Sequence, residues 1–335
     1  MSSPTPAIAT HNLSKTYGRN RGIHDITLEV ERGEIFGFLG PNGAGKSTTL
    51  RTLLGFLRPT SGRAEILGLD TQSKPVEIHR HVGNLPSEFN LEDRMTGAQL
   101  LCFFADLRGG NISLDFAHAL AERLQADLNR PMRRLSRGNK QKIGIIQALF
   151  HQPQVIILDE PTSGLDPLVQ EEFLTILKEI RANGQTIFFS SHILPEIERV
   201  ADRVGIIRDG EMIAVEDPST LTGRAFRYVR IRFTQPLSAE DAQRFANLPG
   251  VERFAIDGST ISFQAHGSMD AIIQLASHHP VQLFDAERPP LEEIFLTYYS
   301  SATSSVSGSG SATSSVSGSG SATGSATCAP GGQSR

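Results

Sequence analysis

Apolar residues along the first two thirds of this chain fall into two alternating rhythms. Ile35-Phe36-Gly37-Phe38-Leu39, Val155-Ile156-Ile157-Leu158 and Thr186-Ile187-Phe188-Phe189-Ser190 are short apolar runs without alternation, as strands buried on both faces require. Between and around them, apolar residues recur at helical spacing: Leu50, Leu53, Leu54 and Leu57; Ile143, Ile146, Leu149 and Phe150; Phe173, Ile176, Leu177 and Ile180. This succession predicts an α/β domain built on a parallel sheet. Ile26, Leu28 and Val30 alternate with Thr27 and Glu29, the pattern of a half-buried antiparallel strand, so the sheet structure is expected to be mixed; Tyr17 reads as part of the loop before that strand. Breakers at 58–63 precede a short strand through Ile66 and Leu67, and Asp209-Gly210 marks a hairpin turn. From Met95 to Asp127 the period is helical, with Leu100, Phe103, Phe104 and Leu107 as one stripe. That stretch reads as a helical insertion, a subdomain over about 89–150, with Phe103 and Phe104 expected in the core.

Beyond residue 222 the rhythm changes. Val229, Ile231 and Phe233 predict a strand, followed by a helix near Ala239 to Leu248 and a hairpin of Val251–Ile256 with Ile261–Phe263 around Asp257-Gly258. A second helix carries Met269, Ile272, Ile273 and Ala276, and Val281 to Phe284 is the last strand, giving the order βαββαβ of a small ferredoxin-like α+β unit over 225–299. Leu291, Ile294, Phe295 and Tyr298 form the stripe of a final helix. Residues 300–335 are mostly Ser, Gly, Ala and Thr with one ten-residue stretch in tandem, too polar to bury a core and expected as a disordered tail reaching ~30 Å.

Composition narrows the class without naming it. The 335 residues carry a net charge of −4, so no overall basic field argues for nucleic acid, and none is expected as a partner. Two cysteines, Cys102 and Cys328, have no metal-ligand spacing and form no disulfide framework, as expected of a reducing compartment. The N-terminus lacks the pattern of a signal peptide and no run of about 18 apolar residues occurs, so any work at a membrane is expected to need spans from other chains.

The chemistry concentrates after the first buried strand. Gly40, Pro41, Asn42, Gly43, Ala44, Gly45, Lys46, Ser47 and Thr48 satisfy the phosphate-loop pattern, with a buried strand before it and an amphipathic helix after it. Glycines there let backbone N–H groups curl inward around an anion at a helix N-terminus; Lys46 reaches β- and γ-phosphate oxygens, and the Ser47 hydroxyl suits Mg²⁺. The alternative is a glycine-rich turn that binds nothing. Asp159 and Glu160 end the second buried strand and, as neighbours on a strand, point to opposite sides; Asp159 suits the Mg²⁺ shell, Glu160 the activation of a water, and the alternative is a solvated acidic turn. His192 leaves the same sheet edge and suits a γ-phosphate contact, although a lone histidine is usually structural. Ser87 and Glu88 end another strand in a polar loop able to meet Mg²⁺ or water. Tyr17 stands between an adenine-stacking ring and a residue packed at the sheet edge. Ser136 and Gly138, in Leu135-Ser136-Arg137-Gly138-Asn139, open a helix whose start is free for an anion, which a plainly capped helix explains equally well.

As a set, Gly40 to Thr48, Leu135 to Asn139, Leu158 to Glu160, Ser163 to Asp166 and His192 resemble the ATP-binding cassette (ABC) family over residues 7 to about 220. The resemblance implies a P-loop ATPase, with ATP and Mg²⁺ as cofactors, in which two cassettes meet head to tail, so that Ser136 and Gly138 of one contact the γ-phosphate held by Lys46 of the other. It makes Tyr17 the adenine-stacking aromatic, Glu160 the catalytic carboxylate and His192 the γ-phosphate switch residue. Two departures stand out. Arg137 and Asn139 replace Gly and Gln of the commonest signature, and Ser87 beside Glu88 stands where the family has a glutamine. The expected protein is an ATPase subunit, 1–222 being its cassette, that pairs with a second copy and energises export through separate membrane permeases from the cytoplasmic face. The competing reading is a cassette ATPase acting on ribosomes or DNA, which predicts two cassettes, a long coiled coil or zinc-binding cysteines, and none of these is visible in the sequence.

Overall fold

A computed structural model describes residues 5–18, 21–87, 94–110, 112–218 and 226–287. The predicted final helix, the tail with Cys328, and Glu88 lie outside the described residues. Strands β1 (Ile8–Tyr17) and β2 (Arg21–Val30) pair antiparallel, and β2 buries Ile26, Leu28 and Val30 on the alternating face that its sequence specifies. Tyr17 is the last residue of β1, opposite Arg21, and not part of a loop, because the pairing runs to the strand end. Strand β3 (Ile35–Leu39) is buried throughout, and helix α1 (Lys46–Leu53) follows directly from the glycine-rich loop. The helix stops before Leu57, so the fourth leucine of the predicted stripe lies in the following turn, while Leu50, Leu53 and Leu54 are buried.

Strands β4 (Ser61–Ile66) and β5 (Leu69–Asp70) complete a four-stranded antiparallel sheet in the order β2-β1-β4-β5. Helix α2 (Pro75–His81) leads into β6 (Val82–Leu85); α3 (Gly97–Leu107) and α4 (Asp115–Arg123) form the helical insertion. Thr96 and Gln99 close a reciprocal capping box at the start of α3. Helix α5 (Arg137–Leu149), β7 (Val155–Asp159), α6 (Pro167–Ala182), β8 (Thr186–Ser191), α7 (Leu194–Val200), β9 (Arg203–Arg208) and β10 (Glu211–Glu216) finish this part of the chain.

The second sheet runs β10-β9-β3-β8-β7-β6, parallel except for the β9–β10 hairpin at Asp209-Gly210. A single core includes Ile8, Leu28 and Ile66 of the antiparallel sheet, Leu50 and Leu53 of α1, and Phe36, Ile157 and Phe188 of the parallel sheet. Phe36 and Phe188 stack at 5.4 Å. Burial on this scale holds the ends of β3, β6, β7 and β8 at one edge, which is where open α/β sheets bind ligands.

The helical insertion corrects one expectation. Helix α3 buries Leu100, Leu101 and Ala105, whereas Phe103 is 46% and Leu107 65% exposed. Helical period alone marks an apolar stripe but not which stripe finds a partner.

Strand β11 (Arg227–Phe233), α8 (Ala239–Ala246), β12 (Val251–Asp257), β13 (Thr260–Ala265), α9 (Asp270–Ala276) and β14 (Val281–Glu287) follow the predicted βαββαβ order. Their antiparallel sheet runs β12-β13-β11-β14 around Val229, Ile231, Phe233, Phe245 and Phe263. Ile272 and Ala276 of α9 are buried there, but Ile273 is exposed on the other side of the helix.

Candidate functional site

A cleft of about 720 Å³ opens where the parallel strands end, and it gathers Tyr17, Asn42, Gly43, Gly45, Lys46, Ser47, Thr48, Ser87 and Glu160 from the residues singled out in the sequence. It adds Arg21 and Gly22 from the start of β2, and Asp209 from the β9–β10 turn, none of which the sequence marked as a site residue. The loop is locked from behind: Gly40 N–H donates to the Ser191 carbonyl, and Gly210 N–H donates to the Ala44 carbonyl at 3.0 Å. Gly45 caps α1 with φ of 108°, and a Cβ there would meet Ile23 Cγ2 at 2.8 Å, so only glycine fits this curl. The first N–H groups of α1 have no intrahelical acceptors and face an anion site at the positive end of the helix.

Lys46 is 5% exposed. Its Nζ donates to the carbonyls of Gly40 at 2.6 Å and Pro41 at 3.1 Å and lies 3.0 Å from Glu160 Oε1. That carboxylate oxygen is buried and lacks hydrogen-bond alignment, so the Lys46–Glu160 contact is one of charge. Glu160 Oε2 meets His192 Nδ1 at 2.6 Å. An ionised carboxylate only accepts, so this pairing places the imidazole proton on Nδ1. Cation, carboxylate and imidazole thus stand in consecutive contact although the two contacts join residues 114 and 32 positions apart in the chain.

Asp159 is 3% exposed, and its Oδ1 accepts from Ser190 Oγ at 2.7 Å. The donor set of Ser47 hydroxyl and Asp159 carboxylate consists of hard oxygens, which fits Mg²⁺ completed by water and phosphate. Among the described residues no group of three or more His, Cys, Asp and Glu side chains would hold a metal unaided.

Tyr17 is 45% exposed and lines the cleft, with Lys15 Nζ over its ring at 5.4 Å from the centre. Ser136 accepts from Asn139 N–H as the N-cap of α5, in agreement with its sequence position. Neither Ser136 nor Gly138 lines the cleft.

Two buried polar residues escaped sequence reasoning. Ser190 Oγ accepts the Glu160 N–H at 3.0 Å while donating to Asp159, so one hydroxyl orients both acids. Glu196 Oε2 accepts from Thr162 Oγ1 at 2.9 Å and Ser191 Oγ at 2.8 Å, joining the segment after Glu160 to the residue before His192. Burial pushes the Glu196 carboxyl above its ordinary range, opposed by those two hydroxyls. A serine or glutamate at these points carries no sequence signal.

A family model described as ABC transporter matches residues 23–163. The bacitracin transport ATP-binding protein BcrA of Bacillus licheniformis is 38% identical over 212 residues, 62% of this chain and 68% of that protein. The Nod factor export ATP-binding protein I of Rhizobium etli is 30% identical over 87% of this chain and 92% of its own length. The chain belongs to the ABC transporter ATP-binding family. A solved ATP-binding subunit of an ABC transporter, 30% identical, superposes with a TM-score of 0.59 over 64% of this chain and 91% of that one. The ABC cassette fold therefore accounts for both sheets and the helical insertion.

A second concave surface lies elsewhere on the ABC cassette. A groove of about 970 Å³ is lined by Leu54, Phe56, Val76, Phe104, Leu107 and His151, among others, and shares no lining residue with the cleft. Phe56, Val76 and Leu107 are each more than half exposed. Exposed apolar residues gathered in one groove are a feature that interaction surfaces share.

Proposed function

We propose that this chain binds ATP with Mg²⁺ in the cleft and hydrolyses it to energise export through separately encoded transmembrane subunits. The observation that carries the reading is the Lys46–Glu160–His192 chain of contacts at the phosphate loop. Gly40 to Thr48 cradle the phosphates, Lys46 neutralises the β- and γ-oxygens, and Tyr17 stacks on adenine. Glu160 accepts the proton of a water as its oxygen bonds to the γ-phosphorus and the bond to the ADP oxygen breaks; His192 contacts the γ-phosphate. Mg²⁺, held by Ser47 and Asp159, would offset the charge of the β- and γ-phosphate oxygens. Ser87 or Glu88 takes the place of the family's glutamine beside the water. Ser136 and Gly138 contact the γ-phosphate bound by a second copy, so the working unit is a head-to-tail dimer.

Residues 1–222 form the cassette in this reading, and 225–299 a separate accessory unit followed by a tail. Relatives are named for bacitracin transport and Nod factor export, and these names support export. Among the described residues no helix is long and apolar enough to cross a membrane. The spans then belong to partner subunits that dock on the apolar groove, with this chain peripheral on the inner face of the membrane. Roles on ribosomes or DNA find no support among the relatives.

Replacing Glu160 by Gln tests the chemistry. Nucleotide affinity should hold while turnover falls by about 10² or more, the usual worth of a general base. Unchanged turnover would place the base elsewhere.

A further inference from the structure

We infer that Gln141 is a positioning residue for Glu160, fastening the carboxylate's backbone to the helix that begins at Ser136 and Gly138. The inference rests on the reading of Glu160 as general base.

Glu160 adopts φ of 51°, left-handed for a residue with a side chain. Such a conformation persists only where its surroundings over-determine it. Here both flanking peptide groups are held. The Glu160 N–H donates to Ser190 Oγ at 3.0 Å, and its carbonyl accepts from Gln141 Nε2 at 3.3 Å. The same Gln141 amide donates to the Pro161 carbonyl at 3.0 Å. Gln141 is only 5% exposed, so its amide donors serve this backbone and not solvent.

Turning either peptide would carry the carboxylate away from Lys46 and His192, which it meets at 3.0 and 2.6 Å. Ser190 approaches from β8 and Gln141 from α5, so the clamp spans two elements. Two further contacts fasten the start of α5 to the same segment. Arg137 Nη2 donates to Ser163 Oγ at 3.2 Å, and the Gly138 backbone lies so near Gly164 that a Cβ would sit 2.5 Å from its carbonyl oxygen. The helix bearing the signature residues therefore also sets the geometry of the base in its own chain.

The test uses the full chain with Gln141→Met, which keeps length and volume but removes both donors. ATPase kcat should fall about tenfold to a hundredfold, the range expected when a catalytic group is displaced by about 1 Å, with KM and the affinity for a fluorescent ATP analogue unchanged. In a Glu160→Gln background, Gln141→Met should cause no further loss, and the nucleotide-bound dimer should still accumulate. Where Gln141→Met does not fold, Gln141→Glu, of the same size, should give the same split. An unchanged kcat, a matching rise in KM, or loss of the dimer in the Glu160→Gln background would each overturn the inference. Full turnover in Glu160→Gln alone would overturn the base reading instead, whatever Gln141 does.

Discussion

Gly138 is a glycine for reasons of space. A Cβ there would stand 2.5 Å from the Gly164 carbonyl oxygen, a contact that neither backbone can relieve without moving. Gly138→Ala should destabilise the chain by about 1–3 kcal/mol, as overpacking does, read as a lower urea midpoint at unchanged slope. At this scale the sequence showed those residues whose chemistry is packed into adjacent positions: Gly40 to Thr48, and Asp159 beside Glu160. It did not show Ser190, Gln141 or Glu196, whose partners lie 30, 19 and 34 residues away in the chain. A buried serine or glutamine looks the same in sequence whether or not its hydrogen bonds orient a carboxylate at a cleft.

At the scale of elements, period predicted type better than environment. The apolar runs became β3, β7 and β8, because only strands covered on both faces tolerate such runs. Helix α3 was legible as a helix, yet Phe103 and Leu107 are exposed, since no element among the described residues covers that side. The junction after α5 carries a pH-dependent contact. His151 Nε2 lies 3.3 Å from the carbonyl of Val82, at the start of β6, and burial followed by the nearby Arg108 charge lowers its pKa to about 4. Its unfolded value is near 6.5, so folding favours the neutral ring. The resulting stability is fully present above pH about 6.5 and is lost as pH falls through about 4. Thermal melts of His151→Asn should therefore show a shallower decline of Tm between pH 7 and 4 than the parent chain.

For the whole molecule, cleft and groove share no lining residue, so their functions should separate. Phe56→Ser with Leu107→Ser should leave nucleotide affinity within about twofold, as surface changes remote from a site do, while abolishing co-purification with a polytopic membrane partner. Retained co-purification would move the docking surface elsewhere; recovery of the chain with ribosomes instead would remove the transporter reading.

The sequence by itself determined the glycine-rich loop between a buried strand and a helix, the paired acids at a strand end and the βαββαβ order of the later unit. Each is a local matter of spacing, backbone freedom and burial period. Only the tertiary structure decided that Lys46, Glu160 and His192 touch, that Gln141 and Ser190 hold Glu160 from two elements, and that one stripe of α3 stays open. Those outcomes depend on which strands lie side by side at the sheet edge and which faces find cover, and long-range packing sets both.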